Sequence, residues 1–590
     1  MHSTTFGMLG MLTAAASLAF GAGNTARLTP RGTTSIRATI ASGAETGYET
    51  RGGPQADAHF SRKVNGTVAP ARVPADHVPA PAASPIVLGA GFSGFNGISH
   101  FDQRFADEGN QFSTEPPDQA LAVGNGYVLE SVNLALAVYK TGGTSPTITS
   151  LNDFFGLLPA IVRTVPPVYG PFLSDPRAYF DAKTQRWFLT ILEIDTDPTT
   201  GNFLGQSSVL IAVSQTSSPL GTWNLYALDT TNATNTPDHA GCPCFGDQPL
   251  IGADANGFYI TTNEFPIFGS GFNGAQIYAV SKMALENNTP KPVVVVAFGG
   301  LPLAEGVAYS VQPATTPPNG AFEAANEGTE YFMSALEFTG GLDDRIAVWA
   351  MTNTKSLDDP TPTVQLKNVV VTSQVYGMPP SMQQKPGPTP LADLLKTKNN
   401  PLGVVTNEHL ELIDGNDDRM QQVVFADGSL WSSLNTVVKP PNGPVRVGAA
   451  WFIVTPSWDN DTLSAAVTKQ GYVVANQENV AFPSIGVNAA GYGVMTFTLV
   501  GPDYYPSAAF AKIDKINGAG AIQIAAHGAA PDDGFSGYGA YGGRVARWGD
   551  YSAAVADDDG SIWLGVEFIP GGARTLLANW GTFVSRVAVP

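Results

Sequence analysis

The chain has 590 residues, with 31 Lys and Arg against 50 Asp and Glu and a net charge of −19. That charge repels nucleic acid and anionic membrane surfaces, excludes both as expected partners, and favours solubility or cation binding. Sixty-four Gly and 45 Pro, with abundant Val, Thr, Phe and Tyr, suit many short strands joined by turns, and no long amphipathic helical stretch stands out.

In chain order, residues 1–22 read as an export signal. The run MLGMLTAAASLAFGA (Met8 to Ala22) is apolar and rich in small residues, Ala19-Phe20-Gly21 offers a cleavage site, and the run is short for a membrane span. The expected location is therefore extracellular or periplasmic, without membrane insertion. Residues 23–85, rich in Ala, Pro, Thr and Arg, carry no periodicity and read as a disordered linker. Ordered character begins at Ile86, with GAGFSGFNGISHFDQRF as a Gly/aromatic lead-in.

From Asp118 onward one pattern recurs: a hydrophobic strand, a turn, then a second hydrophobic strand ending in an acid or amide. DQPLIGADANGFYITTNE (Asp247 to Glu264) and DYSAAVADDDGSIWLGVE (Asp550 to Glu567) are clear copies, and DRMQQVVFADGSLWSSLN and DQALAVGNGYVLESVN are others. A hairpin repeated at such intervals predicts an all-β fold, a single β-propeller over residues 86–590. Inner hairpins start near Asp118, Asp175, Asp247, Tyr309, Asp418, Phe482 and Asp550, giving seven blades. Six or eight stay open, because the copy at Tyr309 is degenerate and a Pro-rich insertion, TSQVYGMPPSMQQKPGPTP, reads as a surface loop.

Five segments, PPDQALAVGNGYVLESVNLALAVYKTGG, LSDPRAYFDAKTQRWFLT, IAVSQTSSPLGTWNLYALDT, GDQPLIGADANGFYITTNEF and RWGDYSAAVADDDGSIWLGVEF, carry a resemblance. They resemble a group of secreted bacterial proteins with a sialidase-like, BNR-type propeller. The resemblance implies a secreted propeller and brings no established reaction. An Asp-box of the form S-x-D-x-G-x-x-W has no clean copy, and Arg177, Arg345, Arg419 and Arg544 fall in no recognisable arginine triad.

In each hairpin the first strand starts at the Asp and the second ends at the Glu or Asn, so antiparallel pairing sets them side by side on one face. The pairs are Asp118/Asn133, Asp175/Glu193, Asp247/Glu264, Asp418/Asn435 and Asp550/Glu567, expected as an acidic ring at the axial mouth. Three readings compete for it. In the first, Asp caps strand starts and Glu or Asn ties neighbouring blades together. In the second, the ring or the loop ELIDGNDDRM, with Asp414, Asn416 and Asp418 as ligands, holds Ca²⁺. In the third, Asp247 and Glu264 are a glycosidase carboxylate pair, with Asp175/Glu193 and Asp550/Glu567 as equivalents.

Tyr259 and Asn263 are expected to help bind a sugar, as are Tyr504 and Tyr505 in GPDYYPS. His239 and His409 are the internal bases a lyase would use. Six strand-borne tryptophans (Trp187, Trp223, Trp349, Trp431, Trp451 and Trp563) read as core. Cys242 and Cys244, the only cysteines, form a candidate disulfide, with a metal site including His239 as the alternative. The functional expectation is a monomeric, exported propeller that recognises carbohydrate or another surface polymer through its acidic face. The alternatives are a glycan-cleaving hydrolase or lyase, and a non-catalytic structural or adhesion module.

Overall fold

In the computed structural model, the described residues are 18–37, 72–232 and 239–590, less 305, 337–339, 401, 403–404, 411 and 442, with short pieces at 50, 63–64 and 67–68. They are nearly all β; the longest α-helices, His100–Phe105 and Pro390–Leu395, have six residues each. The Val-, Ile- and Thr-rich segments fold as antiparallel four-stranded meanders, in which each strand pairs with the next. In chain order these occupy 120–150, 172–229, 244–298, 312–377, 423–473, 479–526 and 553–587. The last has three strands of its own and takes its fourth, Phe92–Ser99, from the beginning of the ordered chain, which pairs antiparallel with Gly581–Val587. Trp187, Trp223, Trp349, Trp431, Trp451 and Trp563 are all buried, as their strand positions predict.

One local device repeats. Asp118, Asp175, Gln248, Ser310 and Phe482 all have φ between 44° and 60°, a region costly for residues other than Gly. Each lies two residues ahead of the point where regular pairing starts or resumes, at Ala120, Arg177, Leu250, Gln312 and Ser484. The kink turns the backbone N–H toward the preceding meander, where a side chain receives it. Asn133 Oδ1 accepts from Asp175 N at 2.7 Å, Asp175 Oδ2 from Gln248 N at 3.2 Å, Asn263 Oδ1 from Ser310 N at 2.9 Å and Asn435 Oδ1 from Phe482 N at 2.7 Å. The recurrent Asp and Asn are thus clasps between consecutive meanders, and at four of the five kinks the strain is offset by a hydrogen bond. Asn435→Ala would leave the Phe482 N–H buried without an acceptor, at an expected cost of about 1–3 kcal/mol in urea unfolding. Wild-type stability for that variant would deny the clasp its role.

The N-terminal segment departs from expectation. Asn24–Ser35, assigned to a disordered linker over 23–85, is a strand that pairs on one side with Thr222–Asp229 and on the other with Val293–Phe298. It joins two meander edges through main-chain hydrogen bonds, which need no apolar alternation, and among its residues only Leu28 is fully buried. Leu18–Ala19, inside the expected export signal, pairs with Lys367 and Asn368; residues 1–17 lie outside the described residues. The Pro-rich insertion is also more ordered than a plain loop: Gln365–Gly377 is a strand, Met382–Gln383 pairs with Leu412–Ile413, and Leu391 and Leu395 pack with Leu410, Phe535 and Tyr538.

Candidate functional site

The first strands of the meanders border one shared cavity of ≈ 80 Å³. Its wall includes Ala120–Val123, Arg177–Phe180, Ile251, Gln312, Thr315–Pro318, Gln422, Val424, Val487 and Ala553–Ala556. Most of these side chains are small and apolar. Gln422 crosses to Ala554, receiving its N–H at 3.2 Å and donating to its carbonyl.

Just ahead of those strands the wall turns acidic. One carboxylate oxygen each from Asp118, Asp175 and Asp550 lies within 4.8 Å of the others. Asp118 Oδ1 accepts the Asp550 N–H and its Oδ2 the Asn133 amide, both at 2.7 Å. Asp175 receives Gln248 N and, at 3.1 Å, the Ser174 hydroxyl. Asp550 meets Asn416 Nδ2 at 3.1 Å and, at 3.2 Å, the half-exposed guanidinium of Arg547. Burial and the charges of Asp550 and Asp175 push the Asp118 carboxyl well above its usual range. Burial and the charges of Asp247 and Asp550 raise Asp175 to about 7. Asp247 rises to about 6 through burial, against the pull of Arg419. Like charges at this distance cannot all stay ionised in a dry setting, so the cluster is built either to hold protons or to receive a cation.

Arg177 stands where the acidic and apolar zones meet. It is only 9 % exposed; its guanidinium carbon lies over the Tyr551 ring, 3.4 Å from the centroid, and Tyr551 in turn donates to Pro176 O at 2.9 Å. Its Nε and Nη2 donate to no acceptor among the described residues, and burial lowers its pKa despite the carboxylates nearby. A buried guanidinium with unused donors is costly unless something polar reaches it. Sequence reasoning left Arg177 without a role; its position directly after Asp175-Pro176 was the available signal.

The other expected site residues are dispersed. Pairing sets Asp247 opposite Asn263 and Gly246 opposite Glu264, so Glu264 and Asp247 leave the strands on opposite faces. Glu264 meets His239 Nδ1 at 2.8 Å and Asn273 Nδ2 at 2.8 Å, Glu193 pairs with Arg31 at 3.2 Å, and Glu567 accepts Gly549 N at 2.8 Å. Asp118, Asp175, Asp247 and Asp550 therefore gather, Asn133 with them, while Glu193, Glu264 and Glu567 do not. Tyr259 and Asn263 offer no sugar surface: Tyr259 is fully buried against Phe332, and the Asn263 amide donates to Ser310 Oγ. Both belong to a strand covered on both faces, and aromatic side chains there fill the space between sheets.

Tyr504 stacks on His527, and Tyr505 donates to Pro386 O at 3.2 Å. Pro386 borders a separate cleft of ≈ 400 Å³ that also includes Lys385 and His409. In the loop expected to hold calcium, Asp414 accepts Asn416 N at 3.0 Å, Asn416 reaches Asp550, and Asp418 is fully buried. The loop thereby contributes Asn416 to the axial cluster. Cys242 and Cys244 are joined as a disulfide.

No protein-family model and no curated protein matches the chain. Among solved structures it is similar to the phage phi92 endosialidase at 9% identity and a TM-score of 0.29, covering 70% of this chain and 66% of that one. A protein of unknown function from Dyadobacter fermentans aligns at 10% identity and a TM-score of 0.30, covering 71% of this chain and 95% of that one. The endo-1,5-α-L-arabinanase of Thermotoga petrophila aligns at 10% identity and a TM-score of 0.23, covering 80% and 98%. Likenesses of this size carry no argument about function. No helix among the described residues is long and apolar enough to cross a membrane.

Proposed function

We propose that the chain is an exported, seven-bladed β-propeller that recognises a hydroxyl-rich glycan at the acidic end of its central cavity, with Ca²⁺ bound by Asp118, Asp175 and Asp550. The blade count rests on the consecutive meanders, whose first strands border one cavity, and on Phe92–Ser99, which completes the last sheet as a ring closure would. Export rests on the apolar, small-residue run at Met8 to Ala22.

The observation that carries the function is the convergence of three carboxylates beside a guanidinium with unused donors. Sugar hydroxyls both donate and accept, so they satisfy carboxylates and Arg177 together, and a hard cation neutralises the cluster while coordinating vicinal hydroxyls. In titration calorimetry and thermal unfolding, Ca²⁺ is expected to bind once and raise the midpoint, EDTA to lower it, and Asp175→Asn to lose both effects. Binding that follows mass action stabilises by about 3 kcal/mol at a hundredfold excess over Kd. A protein indifferent to Ca²⁺ and EDTA would remove the cation from the reading. A folded protein that binds nothing on a glycan array would remove the glycan.

A hydrolytic second reading is favoured by the raised carboxyls. Asp175 at about 7 is poised to donate a proton near neutrality, beside Asp247 at about 6. New reducing ends from a polysaccharide panel, absent with Asp175→Asn, would convert the binding site into an active site.

A further inference from the structure

We infer that the Cys242–Cys244 disulfide is a thiol–disulfide exchange site for a dithiol partner, distinct from the axial cluster and independent of the glycan reading. Its two sulfurs are unequal. Cys242 is partly exposed, whereas Cys244, the first residue of the strand Cys244–Ala253, is fully buried. Polar groups are already placed around both. Asn273 Nδ2 donates to Glu264 Oε1 at 2.8 Å and to Ala240 O at 3.1 Å, and lies 3.5 Å from Cys244 Sγ and 4.0 Å from Cys242 Sγ. Glu264 Oε1 lies 3.8 Å from Cys242 Sγ, and the same carboxylate meets His239 Nδ1 at 2.8 Å. The intervening Pro243 accepts Ile267 N at its carbonyl at 2.8 Å, and the next residue, Phe268, is 60% exposed. A disulfide that only pinned a loop would not need the imidazole–carboxylate pair beside its accessible sulfur.

The exchange runs in two displacements. A thiolate of the dithiol partner attacks Cys242 Sγ, forming a mixed disulfide. The Cys242–Cys244 bond breaks, and its electron pair leaves on Cys244 Sγ, where the Asn273 amide donates to the developing thiolate; that thiolate then takes a proton. The partner's second thiolate attacks its own sulfur in the mixed disulfide and expels Cys242, which is protonated from the His239–Glu264 pair. Two electrons and two protons pass from the dithiol to the protein, which ends as two thiols. A low-molecular-weight disulfide such as oxidised glutathione returns it to the starting state.

The test uses the folded full-length protein in glutathione redox buffers, quenched by thiol alkylation and read by mass spectrometry. Cys242 and Cys244 are expected to equilibrate in the native state. Catalytic amounts of protein should speed oxidation of a two-cysteine peptide by oxidised glutathione about tenfold, as thiol exchange through an accessible disulfide would. Asn273→Ala should slow the peptide reaction while native-state equilibration persists. Cys244→Ser should trap glutathione on Cys242; if that variant does not fold, the wild-type measurements still decide. A disulfide reduced only in denaturant, or peptide oxidation unchanged by the protein, would overturn the inference and leave a structural staple.

Discussion

Arg419→Met is expected to destabilise the protein by about 3–5 kcal/mol in urea unfolding, the effect of breaking a buried ion pair from one side. Arg419 grips Asp417 with Nε to Oδ1 and Nη2 to Oδ2, both at 2.7 Å, and sends Nη1 to Gln248 Oε1 at 2.6 Å. The Tyr309 hydroxyl donates to Asp417 Oδ2 at 3.0 Å, so one bidentate pair joins the 244–298 meander, the loop before 312 and the loop before 423. Burial disfavours the Asp417 carboxylate, yet the Arg419 charge and hydrogen bonds outweigh it and hold the group below its usual range. Without the guanidinium, Asp417 is left charged and buried. Arg419→Lys should recover only part of the loss, because an ammonium cannot make the fork. Arg419→Met with Asp417→Asn should recover more, by removing both charges. Because the folded Asp417 is the more acidic form, its contribution is present above the unfolded carboxylate range, about pH 4, and is lost as pH falls below it. A single Arg419→Met variant as stable as wild type would remove this pair from the account of the fold.

Glu130→Gln should instead stabilise, by an amount that grows from about pH 4.5 to about pH 7 and is level above it. Glu130 is fully buried where the closing strand meets the first meander: Ile98 N donates to its Oε2 at 3.1 Å, as does the Tyr139 hydroxyl at 3.1 Å, while Oε1 contacts the Thr582 hydroxyl. Thr582 Oγ1 reaches both Glu130 Oε1 and Ile98 O, the latter at 3.0 Å, so its one hydrogen serves one of them at a time, and a protonated Glu130 lets both contacts be made. Burial pushes Glu130 up to about 7, against the hydrogen bonds it accepts. An acid whose folded pKa is raised binds protons more tightly when folded, so stability falls as pH climbs from the unfolded value to about 7 and is level beyond. The gap from 4.5 to about 7 corresponds to roughly 3 kcal/mol. A glutamine amide can donate to Thr582 while its oxygen accepts from Ile98 and Tyr139, reproducing the neutral acid. Wild type and variant should match near pH 4, and the variant should lead by roughly 3 kcal/mol at pH 8. Parallel pH profiles would show that Glu130 is ionised in the folded protein and that the proton assignment fails.

How far the site was legible can be traced residue by residue. The repeated Asp and Asn stand out because four of the five kinks ahead of a first strand have a polar side chain that receives the N–H, a demand repeated down the chain. The Asp247/Glu264 pair is separated by a single residue of register. A break in register between Asp247 and Leu250 puts Asn263 opposite Asp247, and a one-residue slip sends Glu264 to the other face. His239, expected as a lyase base or a metal ligand, instead meets Glu264, 25 positions away on that other face. Arg177 could not be placed at all, because Tyr551, the ring beneath it, is 374 positions distant, and Asp550 likewise reaches Asp118 across 432.

By itself the sequence determined what depends on neighbours in the chain: the strand composition, the recurrent polar residues at the strand entries and the two cysteines close enough to join. Tertiary structure alone decided which carboxylates converge, that Asn24–Ser35 is a strand between two edges, and that Phe92–Ser99 completes the last sheet. Those outcomes rest on main-chain pairing and on contacts hundreds of residues apart, and neither leaves a periodic trace in the residues that make them.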